Sequence, residues 1–154
     1  MHHRVSDLLR TGGVVIYTSP DTSVHDAVQK LSRHNVGSIL VMSPDRRLAG
    51  IFTERDLVQR VVSKGLEPTT TKIGDVMTRD VIVVKKETSR HEVLQIMDQQ
   101  HIRHVPVSDG SQILGVISLR DVLRFDNAEK DFEIEQLKQY FLQELGAGDQ
   151  RLSA

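Results

Sequence analysis

Two hydroxyl–carboxylate pairs occur at the same spacing and in the same sequence context. Thr53 precedes Asp56 in GIFTERD, and Ser118 precedes Asp121 in GVISLRD. A Gly and two apolar residues precede each hydroxyl residue, which predicts a strand that ends where a helix begins. A helix N-terminus favours anions, and a carboxylate there can accept hydrogen bonds from the vicinal hydroxyls of a ribose. The two pairs are therefore candidate ligand-binding groups.

The same spacing has a second interpretation, which is helix capping. In a capping box a Ser or Thr hydroxyl closes the helix N-terminus, and an acid three residues later bonds back to the backbone. The pattern recurs at Ser23 and at Ser89, where capping is all that the sequence indicates. For Asp56 and Asp121, ligand binding and capping both stay open.

The chain contains an internal repeat, whose first copy covers residues 5–61 and whose second covers residues 73–125. Each copy contains the same features in the same order: a short apolar run, an amphipathic stretch, two more apolar runs and a helix N-terminus. This order predicts β-α-β-β-α in each copy. The predicted strands are 14–17, 38–42 and 48–52 in the first copy, and 81–84, 104–107 and 113–117 in the second.

This order predicts an α/β (α+β) fold, in which two pseudo-symmetric β-α-β-β-α repeats pack through their sheets and a C-terminal helix follows. One unit of ~55 residues is marginal by itself, whereas two copies can bury their open sheet faces and leave clefts between them. Residues 62–72 contain Thr, Gly and Pro and are interpreted as a linker.

Residues 127–145 predict an amphipathic helix outside the repeat, ended by Gly146 and Gly148, and residues 146–154 are expected to be a flexible tail. This helix is either an arm that packs on its own domain or a dimer contact. It is also a candidate output element, because it follows directly from the Asp121 helix.

Composition excludes several classes of protein. With a net charge of −1, the chain lacks the basic excess of a nucleic-acid binder. No apolar run approaches the ~20 residues that span a bilayer, and the first ten residues lack the apolar segment of a secretory signal. The chain has no Cys, and His101 and His104 do not supply the set of ligands that a metal needs. We expect a cytoplasmic protein with no metal, no nucleic-acid partner and no membrane partner.

The quoted motifs resemble those of the cystathionine β-synthase (CBS) domain. The motifs are GDVMT, GIFTERD, GVISLRD and IRHVPV, and the two copies together resemble a CBS tandem, or Bateman module, over residues 5–125. The resemblance implies a regulatory module that is not an enzyme and that binds AMP, ADP or ATP between its repeats, and less commonly NAD or S-adenosylmethionine. It also implies a flat two-fold homodimer that signals to an effector protein or enzyme.

The resemblance also implies which residues bind the nucleotide. Asp121 would hold the ribose hydroxyls, Ser118 would lie near the phosphate or ribose, and Arg103 and Arg120 would face the phosphates. The other residues implied for this cleft are Thr11, Ile16, Val36, Gly37, His104 and Val116. The residues implied for the second cleft are Thr53 and Asp56, in the same roles, with Ile51, Arg55, Ile82 and Ile102.

The two copies differ where the phosphate would bind. Copy two has Arg103 before its strand, and copy one has Gly37 at the aligned position, so only copy two offers a guanidinium there. We therefore expect unequal clefts, with the Asp121 cleft the better one. The alternative function is a ligand-free structural module that dimerises or docks on an enzyme or transporter. No Walker-type loop and no nucleophile with a base at motif spacing indicates catalysis.

Overall fold

The structure is a computed structural model that describes residues 4–9 and 15–149, with the backbone alone for residue 129 and residues 140–149. The predicted site residue Thr11, residue 14 of the first predicted strand, and residues 150–154 of the predicted tail lie outside the described residues. The chain divides into two units, one ending at Ser118 and the other beginning at Leu119.

The first repeat forms a three-stranded sheet with helices. Its elements are α1 (Val5–Leu9), β1 (Tyr17–Thr18), α2 (Val24–His34), β2 (Ser38–Met42), β3 (Leu48–Thr53) and α3 (Glu54–Asp56), which continues as a π-helical segment over Leu57–Val62. The sheet order is β1-β2-β3, with β1 parallel and β3 antiparallel to β2. Hydrophobic residues along α2 face the core as predicted, because Val24, Ala27 and Leu31 are buried.

The second repeat has the same topology. Its elements are α4 (Ile73–Val76), β4 (Val84–Lys85), α5 (Arg90–Gln99), β5 (His104–Ser108) and β6 (Ile113–Ser118), and its sheet order is β4-β5-β6. The predicted mixed α/β fold with two small sheets is confirmed. Strands β1 and β4 are shorter than predicted, because only two residues of each lie opposite the neighbouring strand.

The second unit contains one continuous helix, α6 (Leu119–Asp149). This differs from the prediction, which separated a repeat helix from a tail helix and ended the latter at Gly146 and Gly148. No Pro interrupts the sequence, and a Gly costs only about 1 kcal/mol inside a helix, so the backbone stays helical through both glycines. The side chains of Phe132, Ile134 and Leu137 on this helix are exposed.

Helix α1, which leads the first repeat, packs on the second repeat. The backbone N–H of Val5 donates to the carbonyl of Thr88 at 2.9 Å. Leu9 lies so close to β6 that a Cβ added at Gly115 would be 2.6 Å from its Cδ2 atom. The first repeat therefore contributes its leading helix to the other sheet.

Helix α4, which leads the second repeat, packs on the first repeat in return. The N–H of Ile73 donates to the carbonyl of Thr22 at 2.9 Å, and a Cβ added at Gly50 of β3 would lie 2.5 Å from the sulfur of Met77. The two sequence repeats have thus exchanged their leading helices, and this exchange ties them together.

The predicted linker, residues 62–72, is bonded to the first repeat. The first N–H groups of a helix have no partner within it. Here the N–H of Val24 donates to the carbonyl of Thr71 at 2.9 Å, and that of His25 donates to Pro68 at 3.0 Å. The segment therefore satisfies donors at the start of α2 as well as joining the repeats. Among the described residues, no helix is both long enough and apolar enough to span a bilayer.

Candidate functional site

The two strand-to-helix junctions are built alike, as the repeated motif predicts. Thr53 ends β3 and pairs with Ser38 of β2, while Ser118 ends β6 and pairs with His104 of β5. A helix begins directly after each hydroxyl residue. Each junction therefore places a hydroxyl at the end of an edge strand, beside the first residue of the neighbouring strand.

The starts of β2 and β5 meet where the two repeats contact each other. A Cβ added at Gly37 would lie 3.1 Å from Nε2 of His104 and 3.4 Å from Oε2 of Glu54. The guanidinium of Arg55 donates to the backbone carbonyl of His101. Three residues implied by the family resemblance, Gly37, Arg55 and His104, are thus close to one another at this inter-repeat contact.

The helices that precede these two strands end in the same way. Asn35 follows α2 with a φ of 51°, and His101 follows α5 with a φ of 54°, so both adopt the left-handed conformation. This conformation lets a backbone leave a helix abruptly, and Asn adopts it more readily than most residues. The prediction that His101 ends a helix agrees with this placement.

Asp56 is buried, with 6% of its surface exposed, and it forms a capping box with Thr53. Its Oδ2 atom accepts a hydrogen bond from the N–H of Thr53 at 2.9 Å and another from the Thr53 hydroxyl at 3.1 Å. In return the N–H of Asp56 lies 3.3 Å from Oγ1 of Thr53. The capping interpretation of the motif is confirmed at this junction.

The other oxygen of Asp56 bonds to two residues that the sequence analysis did not identify. Oδ1 accepts a hydrogen bond from the Thr78 hydroxyl at 3.1 Å and lies 3.4 Å from Nε of Arg60. A carboxylate offers about four lone-pair positions, so these donors and Thr53 together fill it. The i,i+4 spacing of Asp56 and Arg60 was a sequence signal for the ion pair, whereas nothing in the sequence placed Thr78 there.

The Asp121 junction differs in exposure and in sequence. Asp121 lies in the first turn of α6 and is exposed, and Ser118 is half-buried. The position aligned with Arg60 is occupied by Phe125, whose side chain has no hydrogen-bond donor. Arg120 and Asp121 belong to the second unit, whereas Ser118 ends the first.

The remaining predicted site residues fall into three groups by exposure. Among them Ile51 is buried, Ile16, Val36, Ile82, Ile102 and Val116 are half-buried, and Arg55, Arg103 and Arg120 are exposed. Half-buried apolar side chains suit the faces of a base, and exposed guanidinium groups suit phosphate. Their assignment to a nucleotide stays a prediction. Within the described part of the chain, no group of three or more His, Cys, Asp and Glu side chains could hold a metal ion.

Comparison with known proteins decides the family. The sequence profile of the CBS domain matches residues 5–63 and 73–128. The chain belongs to the CBS domain family. This CBS pair is 34% identical over 145 residues to the mitochondrial CBS domain-containing protein CBSX3 of Arabidopsis thaliana, a match that covers 88% of this chain and 70% of that protein. CBS pairs are generally regulatory and nucleotide-sensing modules.

Two further similarities show how such a pair occurs elsewhere. The chain is 38% identical over 121 residues to arabinose 5-phosphate isomerase KdsD of Yersinia pestis, covering 79% of this chain but only 37% of the isomerase. Its fold matches the crystal structure of the CBS-domain containing protein ATU1752 from Agrobacterium tumefaciens, with a TM-score of 0.75, 34% identity, and coverage of 80% of this chain and 93% of that one. A CBS pair of this kind is therefore present both as most of a protein and as part of an enzyme.

Proposed function

We propose that this CBS pair binds an adenosine nucleotide, AMP, ADP or ATP, at the junction of the second repeat and signals its presence to a partner. The contrast between the two junctions carries the proposal. The Asp56 carboxylate is buried, whereas Asp121 is exposed at the equivalent position and is accessible to a ligand. The partner is an effector protein or an enzyme, and a cytoplasmic location stays a prediction.

The proposed roles follow from side-chain chemistry. Asp121 accepts hydrogen bonds from the two ribose hydroxyls, and Ser118 lies near the ribose or the phosphate. Arg103 and Arg120 bind phosphate, because a guanidinium offers paired donors to its oxygens. The apolar residues proposed for the base are Ile16, Val36 and Val116. Arg120 and Asp121 are in the second unit, so their place beside the other residues stays a prediction.

The Asp56 junction is proposed as the weaker site. Thr53 is already bonded to Asp56, and Arg55 is already bonded to the carbonyl of His101. A nucleotide there would have to replace these bonds before it gained its own. NAD and S-adenosylmethionine, which present the same adenosine, are less favoured ligands than AMP, ADP or ATP.

Substitution of Asp121 tests the proposal. Losing a charge-assisted hydrogen bond costs roughly 1.5–3 kcal/mol, which corresponds to about 10- to 150-fold in affinity. Titration calorimetry with AMP and with ATP should show a loss of this size for Asp121→Ala. The exposed Asp131, on the same helix, supplies the control Asp131→Ala, whose affinity should not change. Wild-type affinity in Asp121→Ala would exclude the assignment.

A ligand-free structural module is the second candidate, and exposed apolar residues favour it. Val58 and Val62 of the π-helical segment are 60% and 64% exposed, and Leu123, aligned with Val58, is also exposed. Such residues suit a two-fold homodimer, which we propose in either case. A ligand at a hundredfold excess over its Kd stabilises a protein by about 2.7 kcal/mol. If AMP, ADP, ATP, NAD and S-adenosylmethionine all leave the melting temperature unchanged, the structural function is favoured.

A further inference from the structure

The Asp56 carboxylate is occupied by groups that resemble what a ligand would offer. A ribose would present two hydroxyl donors to the carboxylate oxygens. Here the hydroxyls of Thr53 and Thr78 already donate to Oδ2 and Oδ1, each at 3.1 Å, and Arg60 approaches Oδ1 at 3.4 Å. Because one carboxylate has about four acceptor positions, a ribose can bind only after donors of the chain leave.

These donors are held in place by bonds of their own. Arg60 donates through Nη1 to the carbonyl of Met77 at 2.7 Å, at the C-terminal end of α4. Thr78 exchanges two backbone hydrogen bonds with Ile51 of β3, at 2.8 and 2.9 Å. Met77, which lies between α4 and Thr78 in the sequence, is buried. The contact between Asp56 and its donors therefore also fastens α4 to the sheet of the first repeat.

The second repeat differs from the first at the position of Arg60. Phe125 stands at the position aligned with Arg60, and a phenyl group neither donates a hydrogen bond nor carries charge. In the first repeat a guanidinium joins the carboxylate to the end of the packed helix, and position 125 supplies no such group to the second repeat. This difference at one aligned position can be tested by substitution of Arg60.

We propose that Arg60 and Thr78 form an internal latch that occupies Asp56 in place of a ligand, so that the chain has one nucleotide site and not two. This proposal rests on the proposed function, which supplies the identity of the ligand as a nucleotide. The latch opens only when the segment 76–78 moves away from β3. A partner or a variant that displaces this segment exposes a second nucleotide site at Asp56.

The stoichiometry of ATP binding tests the latch. Titration calorimetry should give one ATP per chain for the wild type and two for Arg60→Phe/Thr78→Val, which gives the first repeat the Phe of the second. Arg79→Phe is the matched control, because Arg79 also bonds a carbonyl of α4, that of Gly74, but is not bonded to Asp56. The Arg79→Phe variant should still bind one ATP per chain. Two ATP per wild-type chain, or one per chain of the folded double variant, would overturn the latch.

Hydrogen exchange separates failure of the latch from failure of the proposed function. If the wild type binds no ATP, the proposed function fails, and the latch is then judged by exchange alone. In Arg60→Phe, and more mildly in Thr78→Val, the amides of Met77 and Thr78 should exchange about tenfold faster, because a hydrogen bond to a charged group is lost. Unchanged exchange of both amides in folded Arg60→Phe would contradict the latch.

Discussion

Replacing Asp56 by Ala tests the network at the first junction most directly. Ala leaves the Thr53 N–H, the Thr78 hydroxyl and the Arg60 guanidinium without their acceptor. Hydrogen bonds to a charged group contribute about 1.5–3 kcal/mol each. The Arg60 side chain is 46% exposed and can be rehydrated, so its bond counts for less. We therefore expect the free energy of unfolding to fall by about 3–5 kcal/mol.

This loss would be a large part of a typical total of about 5–15 kcal/mol. Asp121 is exposed at the aligned position, so Asp121→Ala should cost less, because water screens the interactions of an exposed charge. Urea unfolding followed by far-UV circular dichroism measures both variants. The comparison measures the effect of burial, because one residue is buried, the other is exposed, and the two occupy aligned positions.

A double-mutant cycle identifies the bond that is responsible. Thr78→Val alone should cost about 1.5–3 kcal/mol, because the lost hydrogen bond is to a charged carboxylate. Because Asp56→Ala already removes its acceptor, adding Thr78→Val should change stability by no more than about 0.5 kcal/mol. The reasoning fails if Asp56→Ala costs less than about 1 kcal/mol, or if the two losses add in full.

Three further predictions concern close packing, pH and association. Gly50→Ala should lower the free energy of unfolding by about 1–3 kcal/mol, because the added Cβ would lie 2.7 Å from a backbone carbonyl oxygen. Gly115→Ala should cost less, because its Cβ would meet the flexible end of a leucine side chain. Equal shifts of the two melting temperatures in thermal unfolding would contradict this. Hydrogen bonds from Gln112 and Ser111 lower the pKa of Asp109 to about 2 from its ordinary 3.8. The stabilising contribution of the Asp109 carboxylate is therefore present above the pKa of the unfolded chain and is lost as the pH falls from about 4 to about 2. An NMR titration of Asp109 with a midpoint near the ordinary pKa would refute this prediction. Val58→Lys/Val62→Lys should convert the proposed dimer to monomers in light scattering, and an unchanged mass would argue against that interface.

The sequence predicted most elements of the fold because their signals are local. Helix α2 follows from apolar residues at helical spacing, and β2 and β5 follow from short apolar runs beside turns. Strands β1 and β4 were predicted too long, because their bounds depend on pairing with strands that are distant in sequence. Helix α6 continues past Gly146 and Gly148, where the sequence predicted its end, because a Gly costs only about 1 kcal/mol inside a helix.

The candidate site was predictable in its residue types but not in its bonding. The motif Thr53-x-x-Asp56 identified the junction and left both capping and ligand binding open. Only the exchange of α4 onto the first repeat brings Thr78 to the carboxylate, across 22 positions of sequence. Nothing in a repeat pattern states which sheet each leading helix covers, so the occupancy of Asp56 could not be foreseen.

The sequence by itself determined the duplication, the hydroxyl at each strand end and membership of the CBS domain family, because each depends on residue order alone. The tertiary structure decided how the acceptor positions of the Asp56 carboxylate are filled. That property depends on which donors lie within about 3 Å in space, and at Asp56 one of them, Thr78, comes from the exchanged segment of the other repeat.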